Sequence, residues 1–264
     1  MEAESDRPRR PSRPVTRPAI SGGSRGLRYV PPAEVFAYPL TGLLAISGRE
    51  ALADRQMDML ASVTASDEGG RAQVFYAGDA HLIERRCVAV IGARKASDMG
   101  RRRARQLGRQ LAEAGIVVVS GLAEGIDTEA LSGAMEAGGK VIAVIGTPID
   151  QAYPAKNKTL QEAIYRDHLL ISQFASGSRV FPSNFPARNR TMAALSDASV
   201  VIEASDTSGT LHQAAECQRL GRWLVIARSV ADDPGLSWPA KFIDKPRTLI
   251  LESTPQLLAA IYGG

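Results

Sequence analysis

The sequence predicts an α/β fold built on a doubly wound, mostly parallel β-sheet, and three observations carry that expectation. Short apolar runs recur at Val88–Ile91, Ile116–Val119, Val141–Ile145 and Val200–Ile202, and runs this short read as strands buried on both faces. Each ends abruptly in small or polar residues: Gly92, Ser120-Gly121, Gly146 and Glu203-Ala204. Helix-like segments at Met99–Ala114, Asp127–Ala137, Asn157–Arg166, Asn189–Ser196 and Gly209–Leu220 alternate with these runs, the order of a parallel sheet with right-handed crossovers. Such sheets bind ligands beyond the carboxyl ends of their strands. The glycine-ended rim is therefore the candidate site.

Residues 1–28 hold Arg7, Arg9, Arg10, Arg13, Arg17, Arg25 and Arg28 among prolines, serines and glycines. Too little apolar surface is present to offset chain entropy, which predicts a disordered basic arm. It reads either as an arm that scans nucleic acid or as a solubilising leader. Residues 29–86 predict a small region of one or two helices around Leu43, Leu44, Ile46, Leu52, Met57, Met59 and Leu60, a loop at Asp67-Glu-Gly-Gly70 and a strand at Gln73–Ala77. This region is expected to cover an edge or face of the sheet.

Residues 87–264 form the main domain. Asp98 or Ser97 is expected to cap its first helix and Asp127 or Thr128 its second, with Gly115, Gly138 and Gly221 at helix ends. A loop over Ser229–Pro246, a strand at Thr248–Leu251 and a helix over Pro255–Ile261 extend the sheet's edge. Within the 264 residues the net charge is +4, a modest excess compatible with a polyanionic partner. The two cysteines, Cys87 and Cys217, lack metal-ligand spacing, so a reducing cytoplasm is the simple reading. No apolar run approaches the length of a membrane span or secretory signal.

Five stretches carry candidate chemistry. In Val88-Ala-Val-Ile-Gly-Ala-Arg-Lys95, Gly92 permits a tight turn, and Arg94 and Lys95 stand at a strand end beside backbone N–H groups, an arrangement suited to phosphate. Ser120-Gly-Leu-Ala-Glu-Gly-Ile-Asp127 offers a hydroxyl and glycines for close approach to a ligand, or is an ordinary βα turn. Arg188 and Arg190 lie about 200° apart on a helix, so one would reach phosphate and the other pin Glu203 or another carboxylate, or both would clamp the loop. Ser208, Gly209 and Thr210 present donors at a helix start. Arg101, Arg105 and Arg109 share one face of the first helix, as a phosphate-tracking stripe or as a solvated side. Glu203, Asp206 and Glu216 are candidate acids for an enzyme, yet His81, His168 and His212 complete no triad or metal set with them.

Over about residues 72–227 the chain resembles the DNA-processing protein A family, also called DprA or Smf. The resemblance rests on Val90-Ile-Gly-Ala-Arg-Lys-Ala-Ser97, Ser120–Asp127, Gly139–Thr147 with Tyr153-Pro154 and Asn157, Phe185-Pro-Ala-Arg-Asn-Arg190 with Ala194–Ser196, and Val200–Ala204 with Ser208-Gly209. It implies an extended Rossmann-like fold and binding of single-stranded DNA without strict sequence preference. It also implies transfer of that DNA to the recombinase RecA during natural transformation, homodimers, no cofactor or metal, and no known enzymatic activity. Carried over, Gly92, Ala93, Arg94, Lys95, Ser120 and Gly121 form the phosphate-binding rim, extended by Lys156 or Lys158, Arg188, Asn189 and Arg190, with Tyr153, Phe181 and Phe185 as stacking aromatics. The chain departs from the family pattern at Ala93, Glu124, Gln173, Leu211–Ala215 and Ala227-Arg-Ser229. Motifs of the flanking helical module and winged helix of many members are not recognisable, which predicts a divergent, minimal member.

The competing reading is a Rossmann-like sensor or hydrolase of a small nucleotide. His212 and Gln213 stand where a related phosphoribohydrolase family expects glutamates, removing the acid its chemistry would use. A sensor needs only the same rim of donors.

Overall fold

The computed structural model describes residues 28–49 and 72–263, so most of the expected arm, the positions Leu52 to Leu60 and the Asp67–Gly70 loop lie outside the described residues. Among the described residues the architecture is a nine-stranded sheet with helices on both faces. The parallel strands are β3 (Cys87–Gly92), β4 (Val117–Ser120), β5 (Val141–Ile145), β6 (Leu169–Ser172), β7 (Ala198–Glu203), β8 (Trp223–Ala227) and β9 (Thr248–Leu251). Two further strands, β1 (Phe36–Pro39) and β2 (Gln73–Gly78), add antiparallel to one edge. The order β1-β2-β6-β5-β4-β3-β7-β8-β9 reverses direction between β3 and β7. That gap is the topological switch point of a doubly wound sheet.

Strand alternation divides the core into two layers. Val88 and Val90 of β3 face a cluster built with Ala104, Leu107 and Leu111, whereas Ala89 and Ile91 face one built with Met192, Leu195, Ala214 and Leu220. The helices are α1 (Leu40–Ile46), α2 (Asp98–Glu113), α3 (Ile126–Glu136), α4 (Lys158–Asp167), α5 (Asn184–Leu195), α6 (Thr210–Leu220), the short α7 (Arg228–Ala231) and α8 (Thr254–Tyr262). Ser97 caps α2, its hydroxyl accepting from the Gly100 N–H at 3.0 Å. Gly115, Gly138 and Gly221 stop their helices at positive φ, as expected of C-terminal glycines. Asp127 is a correction: it lies inside α3 and makes no cap, because Gly125 holds the capping position and the carboxylate turns back to the preceding loop. Helix α5 starts at Asn184, five residues before the expected Asn189. Trp238, in the loop after α7, is fully buried and donates its indole N–H to the Ala204 carbonyl at 3.1 Å.

Helices α2 and α3 cross on glycine. A Cβ on Gly108 would run into the Ala130 carbonyl, and one on Gly133 into the Arg105 carbonyl. Beside this contact Arg105 pairs with Glu129 at 2.6 Å and with Glu136, and Arg109 reaches Glu136 at 3.8 Å. The expected arginine stripe is therefore largely neutralised by α3.

At the amino-terminal pole of the sheet, the Asp197 carboxylate accepts from the Cys87 N–H at 2.9 Å, the Arg49 guanidinium at 2.7 Å and the Tyr262 hydroxyl at 2.9 Å. Arg49 also donates to the Ile83 carbonyl at 2.9 Å. Among the described residues no helix is long and apolar enough to cross a membrane.

Gly108→Ala is expected to lower the unfolding free energy in urea by about 1–3 kcal/mol through overpacking at this crossing, although alanine is the better helix former. An unchanged midpoint would mean that the two helices can move apart freely.

Candidate functional site

The segments that leave the carboxyl ends of β3, β4 and β7 meet α5 in a crevice at the switch point. Gly92 ends β3 where the ladder with β7 shifts register, and a Cβ there would lie 2.6 Å from Ile126 Cγ1 and 2.8 Å from the Glu203 carbonyl. Only glycine lets the turn after β3 lie this close to α3 and β7.

The loop after β4 interlocks with that turn. Ser120 is fully buried and donates its hydroxyl to the Val90 carbonyl at 2.7 Å, so it joins β4 to β3 and does not face a ligand. Gly121 is also spoken for, since a Cβ there would collide with the Arg188 guanidinium. Gly125, at φ +78°, lies against the Ala93 and Arg94 carbonyls. Leu122 holds φ at 57°, an uncommon value for a side chain of its size. It is fully buried, and the Asn157 side-chain amide donates to its carbonyl at 2.9 Å. These small residues serve the approach of one loop to another, where the sequence suggested approach to a ligand.

Arg188 sits beneath the crevice. Its Nη1 donates to the Val144 carbonyl at 2.8 Å and to the Gly121 carbonyl, and its Nε donates to Asn189 Oδ1 at 2.9 Å. Burial pulls its pKa down to about 10, against the attraction of Asp127. Burial likewise raises the Asp127 carboxyl, while Arg188 and the N–H groups of Ala123 and Gly121 oppose that shift. Buried charges persist in such places only when paired and hydrogen-bonded. Arg188 therefore clamps backbone carbonyls, and Glu203, the carboxylate expected to receive an arginine, is held elsewhere.

Glu203 accepts from the Ser97 N–H at 3.0 Å and from the Ser97 hydroxyl at 2.8 Å. A Cβ on Gly100 would run into its Oε2. The carboxylate thus occupies the N-terminus of α2, where the helix dipole favours negative charge. The other candidate acids are also committed. Asp206 accepts from the Ser237 N–H at 3.0 Å and the Trp238 N–H at 2.9 Å, and Glu216 pairs with Arg219 at 2.5 Å. Burial pushes the Cys87 and Cys217 thiols up to about 12, and no group of metal-ligating side chains occurs among the described residues.

The rim itself is polar and aromatic. The exposed Arg94 lies over the Phe185 ring at 5.0 Å, and Phe185 meets Tyr153 at 5.4 Å, tilted by 46°. Gly146 leaves room for this shelf, since a Cβ would come 2.7 Å from the Phe185 ring. Asn189 donates to the Gly209 carbonyl at 3.1 Å, which fixes the start of α6. Ser208 Oγ accepts from the Thr210 N–H at 3.2 Å, and Thr210 is buried.

Gly92, Arg94, Phe185, Arg188, Asn189, Ser208, Gly209 and Thr210 line one crevice of about 290 Å³. Ala93 and Lys95 line an adjoining one that shares Arg94 and Ser208 with the first. Ser120 and Gly121 lie beneath. Lys156 pairs with Glu124 at 2.6 Å on the surface, and the half-buried Lys158 and Arg190 make contacts of their own within the protein. The interlocking duties of Gly125 and Gly146 and the role of Glu203 at α2 were not anticipated. Their only signal was an excess of small residues at strand ends.

A family model described as DNA recombination-mediator protein A matches residues 68–258. DNA processing protein DprA of Streptococcus pneumoniae is 42% identical over 149 residues, 56% of this chain and 52% of that protein. The X-ray structure of DprA from Streptococcus pneumoniae superposes with a TM-score of 0.65 at 37% identity, covering 71% of this chain and 65% of that one. A DprA structure from Helicobacter pylori, described for its single-stranded DNA binding mode, superposes at 0.63 with 25% identity, covering 72% and 87%. The chain spans about half the length of the curated relatives it matches.

Arg188→Ala is expected to cost about 3–5 kcal/mol of stability, because Asp127 loses its buried counter-charge. Arg94→Ala, at the exposed rim, should stay within about 0.5 kcal/mol of the parent. Chemical denaturation of the two variants side by side checks both. Equal losses would place the clamp elsewhere.

Proposed function

Because the chain belongs to the DNA recombination-mediator protein A family, we propose that it binds single-stranded DNA in the crevice at the switch point and performs no catalysis there. The observation that carries this reading is the shelf of Arg94, Phe185 and Tyr153 beside the crevice. A strand without a partner offers phosphates to a cation and exposed base faces to a ring, and both contacts tolerate any sequence. A duplex keeps its bases stacked inside and has only phosphates to offer. Arg94 and Lys95 supply charge at the rim, Asn189, Ser208 and Gly209 supply polar groups, and Arg188 holds the floor in place.

The commitments of Glu203, Asp206 and Glu216 weigh against a hydrolase. A nucleotide sensor is weakened as well, because Glu203 takes the helix N-terminus at which such folds seat a nucleotide phosphate. From the family resemblance we extend the reading to transfer of the strand to the recombinase RecA and to association of two copies. A crevice open along the rim leaves a bound strand within reach of such a partner.

In a fluorescence-anisotropy titration the protein should bind labelled oligo-dT more tightly than duplex of equal length. The log–log salt slope should be steep, about 0.7 per phosphate neutralised, where a single-nucleotide pocket would give a shallow one. Arg94→Ala should lose about tenfold in affinity, the worth of one charge-assisted contact. Equal binding by variant and parent, or none by either, rejects this site.

A further inference from the structure

The second crevice is larger than the first, about 580 Å³, and the two adjoin, sharing Arg94 and Ser208 as lining. It runs between the turn after β3, the loop after β7 and the short helix α7. Its cations are Arg94, Lys95 and Arg103, and Ser97, Ser205 and Ser229 add hydroxyls. Neither Lys95 nor Arg103 has a carboxylate partner among the described residues. Arg103 donates from Nη1 to the Ser229 hydroxyl at 2.7 Å, which turns the guanidinium toward α7.

Three of the cations of α2 differ by direction. Those facing α3, Arg105 and Arg109, are neutralised by Glu129 and Glu136, while Arg103 faces the crevice with no ion-pair partner among the described residues. Two carboxylates also line this crevice, and both are committed. Glu203 is held by Ser97 at the helix N-terminus, and Asp233 accepts from the Gly235 N–H at 2.8 Å. Arg103 thus lies in a trough that adjoins the candidate site, turned toward α7.

We propose that the bound single strand crosses Arg94 into this second crevice, where Lys95 and Arg103 neutralise its next phosphates. The inference rests on reading the first crevice as a DNA groove. Arg94 then stands at the middle of the strand's path, with bases stacked on the Phe185 side and backbone held on the Arg103 side. The hydroxyls of Ser205 and Ser229 donate to phosphate oxygens without reading sequence, while that of Ser97 stays on Glu203.

The test compares oligo-dT of about 4 and about 12 nucleotides, the range of compact single-strand sites, on the parent protein, Arg94→Ala, Arg103→Gln and Lys95→Gln. Glutamine at 103 keeps a donor for Ser229 and removes the charge. A longer homopolymer offers more registers to every variant alike, so the diagnostic quantity is the variant-to-parent ratio at each length. Arg103→Gln should bind the short oligomer as the parent does and the long one about tenfold more weakly, with a salt slope lower by about 0.7 for each phosphate released. Arg94→Ala should weaken both lengths. Lys95→Gln, which removes a charge of the rim as well as of this crevice, should weaken both lengths; parent-like binding of both lengths by Arg103→Gln overturns the second crevice and leaves the first standing. Failure of the parent protein to bind either oligomer removes both.

Discussion

The rim depends on a guanidinium that never reaches solvent. Arg188 ties the Val144 carbonyl of β5 to the Gly121 carbonyl after β4, and Asp127 answers its charge from the first turn of α3. Removing both charges from water costs several kcal/mol each, so the arrangement persists only because the backbone hydrogen bonds and the counter-charge are in place together. The consequences spread from there. Gly121 is small so that the guanidinium fits, and α5 is held at a height that lets Phe185 lie on Gly146 and Asn189 grip the start of α6. Preorganised groups lose little freedom when a ligand arrives, which is how a shallow rim can hold a flexible polymer.

The sheet follows the dinucleotide-binding plan in topology and departs from it in electrostatics. In that plan the first helix after the central strand points its N-terminus at a pyrophosphate. Here Glu203 has taken the position, held by the amide and hydroxyl of Ser97 and by the absence of a side chain at Gly100. An internal carboxylate in a phosphate's place makes the helix end self-sufficient and shifts anion binding outward to side-chain cations. Such cations suit a chain of phosphates spread along a surface better than one phosphate in a deep seat.

Much of the architecture was legible because it is written in periodicity. β-Branched runs marked the central strands, and glycines at positive φ marked the ends of α2, α3 and α6. The start of α5 was misplaced because Pro186, within its first turn, reads as loop and hides the residues before it. The gathering of Gly92, Arg94, Asn189 and Ser208 followed from strand order alone. What the sequence could not disclose was direction. A small residue at a strand end looks the same whether it makes room for a ligand, as proposed at the rim, or for a neighbour, as at Ser120, Gly121 and Gly125. Likewise nothing in Arg188 and Arg190 reveals which turns inward, since that depends on carbonyls supplied by β4 and β5.

At the opposite pole, Asp197 joins four parts of the chain. Arg49 is 148 positions before it, Cys87 is 110 before it and Tyr262 is 65 after it. No ribosome-bound fragment that stops short of Tyr262 can close that knot, because the Tyr262 hydroxyl is one of its members. The emerging polypeptide must therefore keep the Arg49 segment waiting, its charge still hydrated, while the central strands pair. Contacts so distant along the chain slow folding and lengthen the time in which sheet edges stand open. The seal between the beginning and end of the described fold is set last, and it sits on the side of the sheet away from the rim.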